Sequence, residues 1–171
     1  MNEELIEVVI DDSIISSNNL FKIIEPLWWS VNIYESEEQY YKDLSNFTKP
    51  QQYVFAIQWY LSEVNNGGHD QFYYNSTGII WEEVMNGFKE IEFNELYELI
   101  KESISRLGGS PSKVREVRQD QLDKYEPDFE DLDMEFYKLE SRLEAHLMKY
   151  IKDHQRDFYF KGFVPVPKEF R

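Results

Sequence analysis

Apolar residues recur along most of this chain at steps of three and four, the spacing that lays one stripe of a helix against a core. Thr48-Lys49-Pro50-Gln51 opens the clearest case. It supplies a Thr N-cap, a Pro in the first turn where no amide hydrogen is missed, and a Gln that completes a capping box. Tyr53, Ile57, Tyr60, Leu61 and Val64 then follow at helical spacing. Asn65-Asn66-Gly67-Gly68 is expected to stop that helix, because Asn and Gly tolerate the left-handed conformation that closes a helix end. Asp70 to Tyr74 restarts as a short helix, and Asn75-Ser76-Thr77-Gly78 is expected to end it by the same chemistry. If Gly67 takes positive φ in this joint, Gly67→Val costs more than about 1 kcal/mol.

Ser36, in S-E-E-Q, caps a helix predicted over 37–47. Trp81, Val84, Met85 and Phe88 share one side of a helix over 80–90. Leu96, Leu99, Ile100, Ile104 and Leu107 form the stripe of the next, which Gly108-Gly109 stops. Ser110-Pro111 is expected to restart the chain into a polar, exposed helix over 112–125. Pro127 resets the pattern. Asp128 to about His154 then reads as one long amphipathic helix, with Leu132, Phe136, Leu139, Leu143, Leu147, Tyr150 and Ile151 as its stripe. At roughly 1.5 Å per residue it would span about 40 Å.

The pattern is weaker at the two ends. E-L-I-E-V-V-I, from Glu4, is too short to separate strand from helical turn. L-F-K-I-I-E-P-L-W-W reads as a short helix that Pro26 ends or bends. The tail F-V-P-V-P-K-E-F-R is extended, since its prolines forbid helix. Strand signals are otherwise nearly absent, and no repeat or linker divides the chain. The predicted fold is all-α, one domain of irregularly packed helices. Residues 1–35 form an N-terminal segment whose structure the pattern leaves open, 36–156 the helical body and 157–171 the tail.

Composition agrees with a packed fold: of 171 residues, 42% are hydrophobic and 16% aromatic. Charge narrows the partners. Eighteen Lys and Arg stand against 33 Asp and Glu, a formal net charge of -15. Nucleic acid and anionic membrane repel such a surface, whereas a basic protein is attracted to it. Acidity also simply favours solubility. The chain has no cysteine, which removes disulfides, thiolate catalysis and Cys-based zinc sites. M-N-E-E-L-I-E lacks a signal-peptide core, and no run is apolar enough to span a bilayer. A cytoplasmic location is expected.

N-N-G-G-H-D-Q-F-Y-Y-N-S-T-G, from Asn65 to Gly78, is the stretch richest in candidate chemistry. As a phosphate cradle it lacks a cation, since Lys49 and Lys89 bracket it with no basic residue between. As a catalytic loop it offers His69-Asp70, but adjacent helical residues diverge by about 100°. His69, His146 and His154 do not have metal-ligand spacing. No cofactor is implied, and no enzyme activity is expected. The favoured reading is a joint between helices, with Asn65, Gln71 and Asn75 satisfying backbone groups freed there and Phe72, Tyr73 and Tyr74 entering the core.

S-E-V-N-N-G-G-H-D-Q-F-Y-Y-N-S-T-G also closely resembles the signature of the bacterial DNA-mimic protein family. A-I-Q-W-Y-L-S-E, before it, and F-E-D-L-D-M-E-F-Y-K-L-E, from Phe129, resemble that family's flanking helices. The resemblance spans roughly Ser36 to His154. It carries over Glu63, Asn65, Gly67, Gly68, Gln71, Phe72, Asn75, Ser76 and Gly78, expected to be structural. His69 departs from the aromatic associated with its position. The resemblance implies an all-α fold and, less directly, a protein that imitates DNA and occupies a DNA-binding regulator.

Mimicry requires carboxylates held on a rigid frame. Asp133, Glu140 and Glu144 share a side of the predicted long helix, and Glu126, Asp128, Glu130 and Asp131 crowd its start. A second run comprises Glu90, Glu92, Glu95, Glu98 and Glu102. Ordinary helix stabilisation also accounts for acids near an N-terminus and for Lys149, Lys152 and Arg156 near the C-terminus. Lys138 and Arg142 interrupt the acidic face. The expected function is an acidic module that binds a basic DNA-binding protein. An immunity-type protein neutralising a basic toxin, such as a nuclease, makes the same surface demands. An enzyme built on His69-Asp70 is the remaining alternative. Trp28-Trp29 and Tyr40-Tyr41 suit either a homodimer face or the core.

Overall fold

The computed structural model describes residues 3–167. Its first element is a strand, β1 (Glu3–Ile10), and its last is β2 (Phe160–Pro167). They pair antiparallel, with Val8 opposite Gly162 and Leu5 opposite Pro165. The fold is therefore mostly helical rather than all-α. Val8, Ile10, Val164 and Val166 point into the core, while Leu5, Val9 and Phe163 are exposed. Prolines fit here because each strand of a two-stranded ribbon has an open edge.

The N-terminal region continues as α1 (Asp12–Ser16), α2 (Leu20–Ile23) and α3 (Glu25–Ser30). Pro26 lies in the first turn of α3, so it begins a helix rather than bending one. The Asp12 carboxylate accepts hydrogen bonds from Gln155 and Tyr159, tying α1 to the turn before β2.

α4 (Glu37–Leu44) is capped by Ser36, whose hydroxyl accepts from the Gln39 amide at 3.1 Å. α5 (Lys49–Tyr74) opens with the predicted capping box, in which the Gln51 side chain accepts from the Thr48 amide at 3.0 Å. The helix is interrupted at the glycine pair, as predicted: Gly67 (φ -161°) and Gly68 (φ 71°) leave helical geometry, and a second limb of α5 runs on from the kink to Tyr74. The left-handed residue is thus Gly68, and Gly67 adopts extended backbone open to any residue. A Cβ on Gly68 would also lie 2.2 Å from Asp133 Oδ2. Asn75 closes α5 in an extended conformation, φ -80° and ψ 168°, not the left-handed one expected. A short 3-10 turn, Ser76–Ile80, leads into α6 (Trp81–Glu90) and α7 (Asn94–Arg106). Gly108 and Gly109 then take φ 89° and 83°, the predicted stop.

α8 (Arg115–Tyr125) begins later than Ser110-Pro111 implies. The long C-terminal helix is broken: α9 (Glu130–Leu139), a 3-10 turn over Glu140–Arg142, and α10 (Leu143–Asp153). Tertiary contacts hold the two parts separately. Tyr137 of α9 donates to the Val64 carbonyl at 3.0 Å, while His146 of α10 stacks on Phe93 at 4.2 Å between ring centroids. The predicted stripe still faces inward, from Leu132 to Ile151. Trp28 packs on Trp59 and Phe55, and Tyr40 is buried beside Tyr41, so these pairs serve the core and its edge. Among the described residues, no helix is long and apolar enough to cross a membrane.

Candidate functional site

The signature builds a polar knot around the bend of α5. Glu63, nearly buried, accepts from Gln71 Nε2 at 2.7 Å, Asn75 Nδ2 at 2.9 Å and Thr77 Oγ1 at 2.9 Å. The amides of Gln71 and Asn75 therefore serve a carboxylate rather than freed backbone groups. Asn65 is exposed beside Leu61 and Tyr137. Phe72 and Tyr73 enter the core as predicted, whereas Tyr74 stays 55% exposed.

Backbone carbonyls at the end of α5 are satisfied by α8. Arg118, fully buried, donates from Nε to the Tyr73 carbonyl at 2.6 Å, and from its terminal nitrogens to the carbonyls of Asn75 and Ser112 at 2.6 Å each. Arg115 and Gln119 donate to the Tyr74 carbonyl at 3.1 and 3.0 Å. Burial pulls the Arg118 pKa down to about 10, so the side chain keeps its charge at neutral pH. Gly78 admits this arrangement, because a Cβ there would meet Arg118 Nε at 2.5 Å and the Phe72 carbonyl at 2.7 Å. The polar composition of α8 conceals Arg118. The available sequence signal is the row of acids Glu116, Asp120 and Asp123, at i, i+4 and i+7, with Arg118 on the opposite side of the helix.

His69 is wholly enclosed. Its Nδ1 lies 2.5 Å from Asp133 Oδ1, its backbone amide donates to the same oxygen at 2.9 Å, and Nε2 lies 2.6 Å from the Tyr60 hydroxyl. Burial keeps that hydroxyl protonated, well above the ordinary tyrosine range. Every polar atom is satisfied if Nδ1–H donates to Asp133 and Nε2 accepts from Tyr60. Phe72, Phe88 and Phe136 surround the Tyr60 ring at 5.0, 5.5 and 5.6 Å. Tyrosine, histidine and aspartate stand in line, but neither Tyr60 nor His69 reaches solvent. The arrangement latches the bend of α5 to α9. Among the described residues, no cluster of His, Asp and Glu could hold a metal ion.

The predicted acids fall into different environments. Glu95 pairs with Arg142 at 2.9 Å, Glu98 with Lys101 at 3.0 Å, and Arg106 bridges Glu102 at 2.9 Å to Asp131 at 2.5 Å. That run is largely neutralised. Glu140 and Glu144 line a shallow depression with Leu20, Leu61 and Leu147. Asp133 turns inward to His69. Glu126, Asp128 and Glu130 remain exposed and, among the described residues, without an ion pair. The same holds for Glu116, Asp120 and Asp123, which sequence reading passed over. These three share the outer face of α8 because Arg118 turns to the core. Glu126 follows at φ 41°, a left-handed conformation rare outside glycine, and leads the row across to α9.

The chain matches the sequence model of a family described as DMP19-like protein over residues 45–154. No curated protein and no solved structure shows a significant match.

Proposed function

The chain belongs to the DMP19-like family, a family of DNA mimics, and we propose that it is an acidic binding module that occupies the DNA-binding surface of a basic regulator. What supports this reading is the row Glu116, Asp120, Asp123, Glu126, Asp128 and Glu130, exposed along α8 and the start of α9 and outside any ion pair among the described residues. Within α8, Glu116, Asp120 and Asp123 are a helical turn apart, about 5–6 Å at Cβ, and Glu126 and Asp128 continue the row outside the helix. Its frame is stiff. Arg118 anchors α8 to the end of α5, and His69 anchors α5 to α9. A preformed charge array loses little ordering entropy on binding.

The α7 run contributes less, because Arg142, Lys101 and Arg106 already answer its carboxylates. A binding role also fits the enclosure of His69, which leaves no path for a substrate to the imidazole.

The test is capture from a native lysate on the immobilised chain. A basic DNA-binding protein is expected to be retained, released by duplex DNA and released by salt. Retention of only neutral partners indifferent to DNA would overturn the reading.

A further inference from the structure

We propose that the trough between the second limb of α5 and the α8–α9 junction seats an arginine-bearing segment of the basic partner. The inference rests on the reading above that the partner is basic, and it specifies where and by which side chain the partner is held.

Two open depressions, about 510 and 340 Å³, adjoin there and share Asp70 and Pro127 as walls. Asp123 and Glu126 line the first, while Asp128, Glu130 and Asp133 line the second. No lysine, arginine or histidine lines either one. Gln71 and Asn75 add side-chain amides to the first, and the rest of the lining is apolar or aromatic. Leu122 and Tyr74 belong to the first depression, and Phe129, Met134 and Tyr137 to the second. Tyr74, Met134 and Tyr137 are 55%, 54% and 41% exposed. A concave surface that sets carboxylates beside apolar and aromatic groups complements a side chain with an apolar stem and a cationic head.

Arginine fits better than lysine. Its planar guanidinium bonds carboxylates in pairs and stacks on tyrosine faces, whereas an ammonium is a compact, strongly hydrated charge. The chain holds its own cations in the same way. The Arg115 guanidinium lies 5.7 Å from the centre of the Tyr74 ring. Lys113 Nζ lies 5.0 Å from the Trp81 ring and 3.4 Å from a Glu82 oxygen. Asp70, at the centre of the trough, has no hydrogen-bond or ion-pair partner among the described residues. Burial and the neighbouring Asp133 raise its pKa. An incoming guanidinium relieves that crowding of negative charge.

The probe is a synthetic peptide of alternating Arg and Ser, compared with its Lys counterpart by calorimetry on the full chain. The Arg peptide is expected to bind about fivefold tighter than the Lys peptide. Asp123→Asn with Glu126→Gln is expected to weaken it about tenfold. Tyr74→Leu, which keeps apolar bulk but removes the ring, is expected to erase the preference for Arg. Neutralising Glu95, Glu98 and Glu102 is expected to leave binding nearly unchanged. Equal binding of the two peptides, or indifference to the Asp123 and Glu126 changes, overturns the trough. If the native basic partner is still captured in that case, only the trough falls. If no basic partner is captured either, the broader reading falls with it.

Discussion

His69 Nδ1 lies 2.5 Å from Asp133 Oδ1, joining positions 64 residues apart in the chain. The same oxygen also accepts the His69 backbone amide at 2.9 Å. Asp133→Ala would leave both donors without their acceptor. The expected cost is about 3 kcal/mol, read as a lowered midpoint in urea unfolding. Tyr60→Phe removes the other end of the chain of bonds. The two changes together are expected to deviate from additivity by about 1 kcal/mol or more. Strict additivity would show that the three groups do not act as a unit.

The two glycines at the bend differ in a testable way. Gly68→Ala must adopt positive φ and push aside Asp133, at an expected cost of about 2 kcal/mol or more. Gly67→Ala keeps an ordinary backbone, although its Cβ would meet Gln71 Oε1 at 2.3 Å. It is expected to cost about 1 kcal/mol, through the lost Gln71 bond to Glu63. Thermal melts of the two variants should rank Gly68→Ala lower. The reverse order would assign the bend to the wrong residue.

What could be read from the sequence follows from the range of the interactions. The Thr48–Gln51 capping box and the Gly108-Gly109 stop are local, and both appear where the residues predict them. The β1–β2 pair joins the two ends of the chain, and no local pattern announces such a partner. The interruption of α5 at Gly67-Gly68 is local too, but glycines report backbone freedom and not the direction in which the second limb leaves. The break over Glu140–Arg142 contains neither Gly nor Pro, so propensity gives no warning of it. For the candidate site, Glu126, Asp128 and Glu130 were legible as exposed acids. The neutralising roles of Arg106 and Arg142 and the inward turn of Asp133 depend on long-range contacts.

Arg118 illustrates the same limit and gives a prediction. Arg118→Leu leaves the carbonyls of Tyr73, Asn75 and Ser112 without their donor, at an expected cost of about 3 kcal/mol or more. Arg118→Lys keeps the charge but not the fork, and is expected to fall between wild type and the Leu variant. Hydrogen exchange should show early opening of 73–78 in both. Wild-type protection in the Leu variant would remove Arg118 from its anchoring role.

Asp70 should make stability depend on pH. Burial, and then the Asp133 charge, raise its pKa above the ordinary 3.8. The folded chain therefore binds this proton more tightly than the unfolded one. Its contribution is fully present below the ordinary value and is lost as pH rises through the folded value. Asp70→Asn is expected to melt higher than wild type at pH 7, with the difference vanishing in acid. A variant that melts lower at pH 7 would show that the ionised group has a favourable partner.

On the proposed function, charge displayed along α8, rather than acidity in general, holds the basic partner. The most direct measurement is the affinity of the captured basic partner for two neutralised variants of equal charge change. One carries Glu116→Gln, Asp123→Asn and Glu126→Gln, and the other carries Glu95→Gln, Glu98→Gln and Glu102→Gln. The first is expected to weaken binding by about a hundredfold and the second by about threefold or less. Equal losses in the two variants, or a larger loss in the second, would rule out α8 as the binding face.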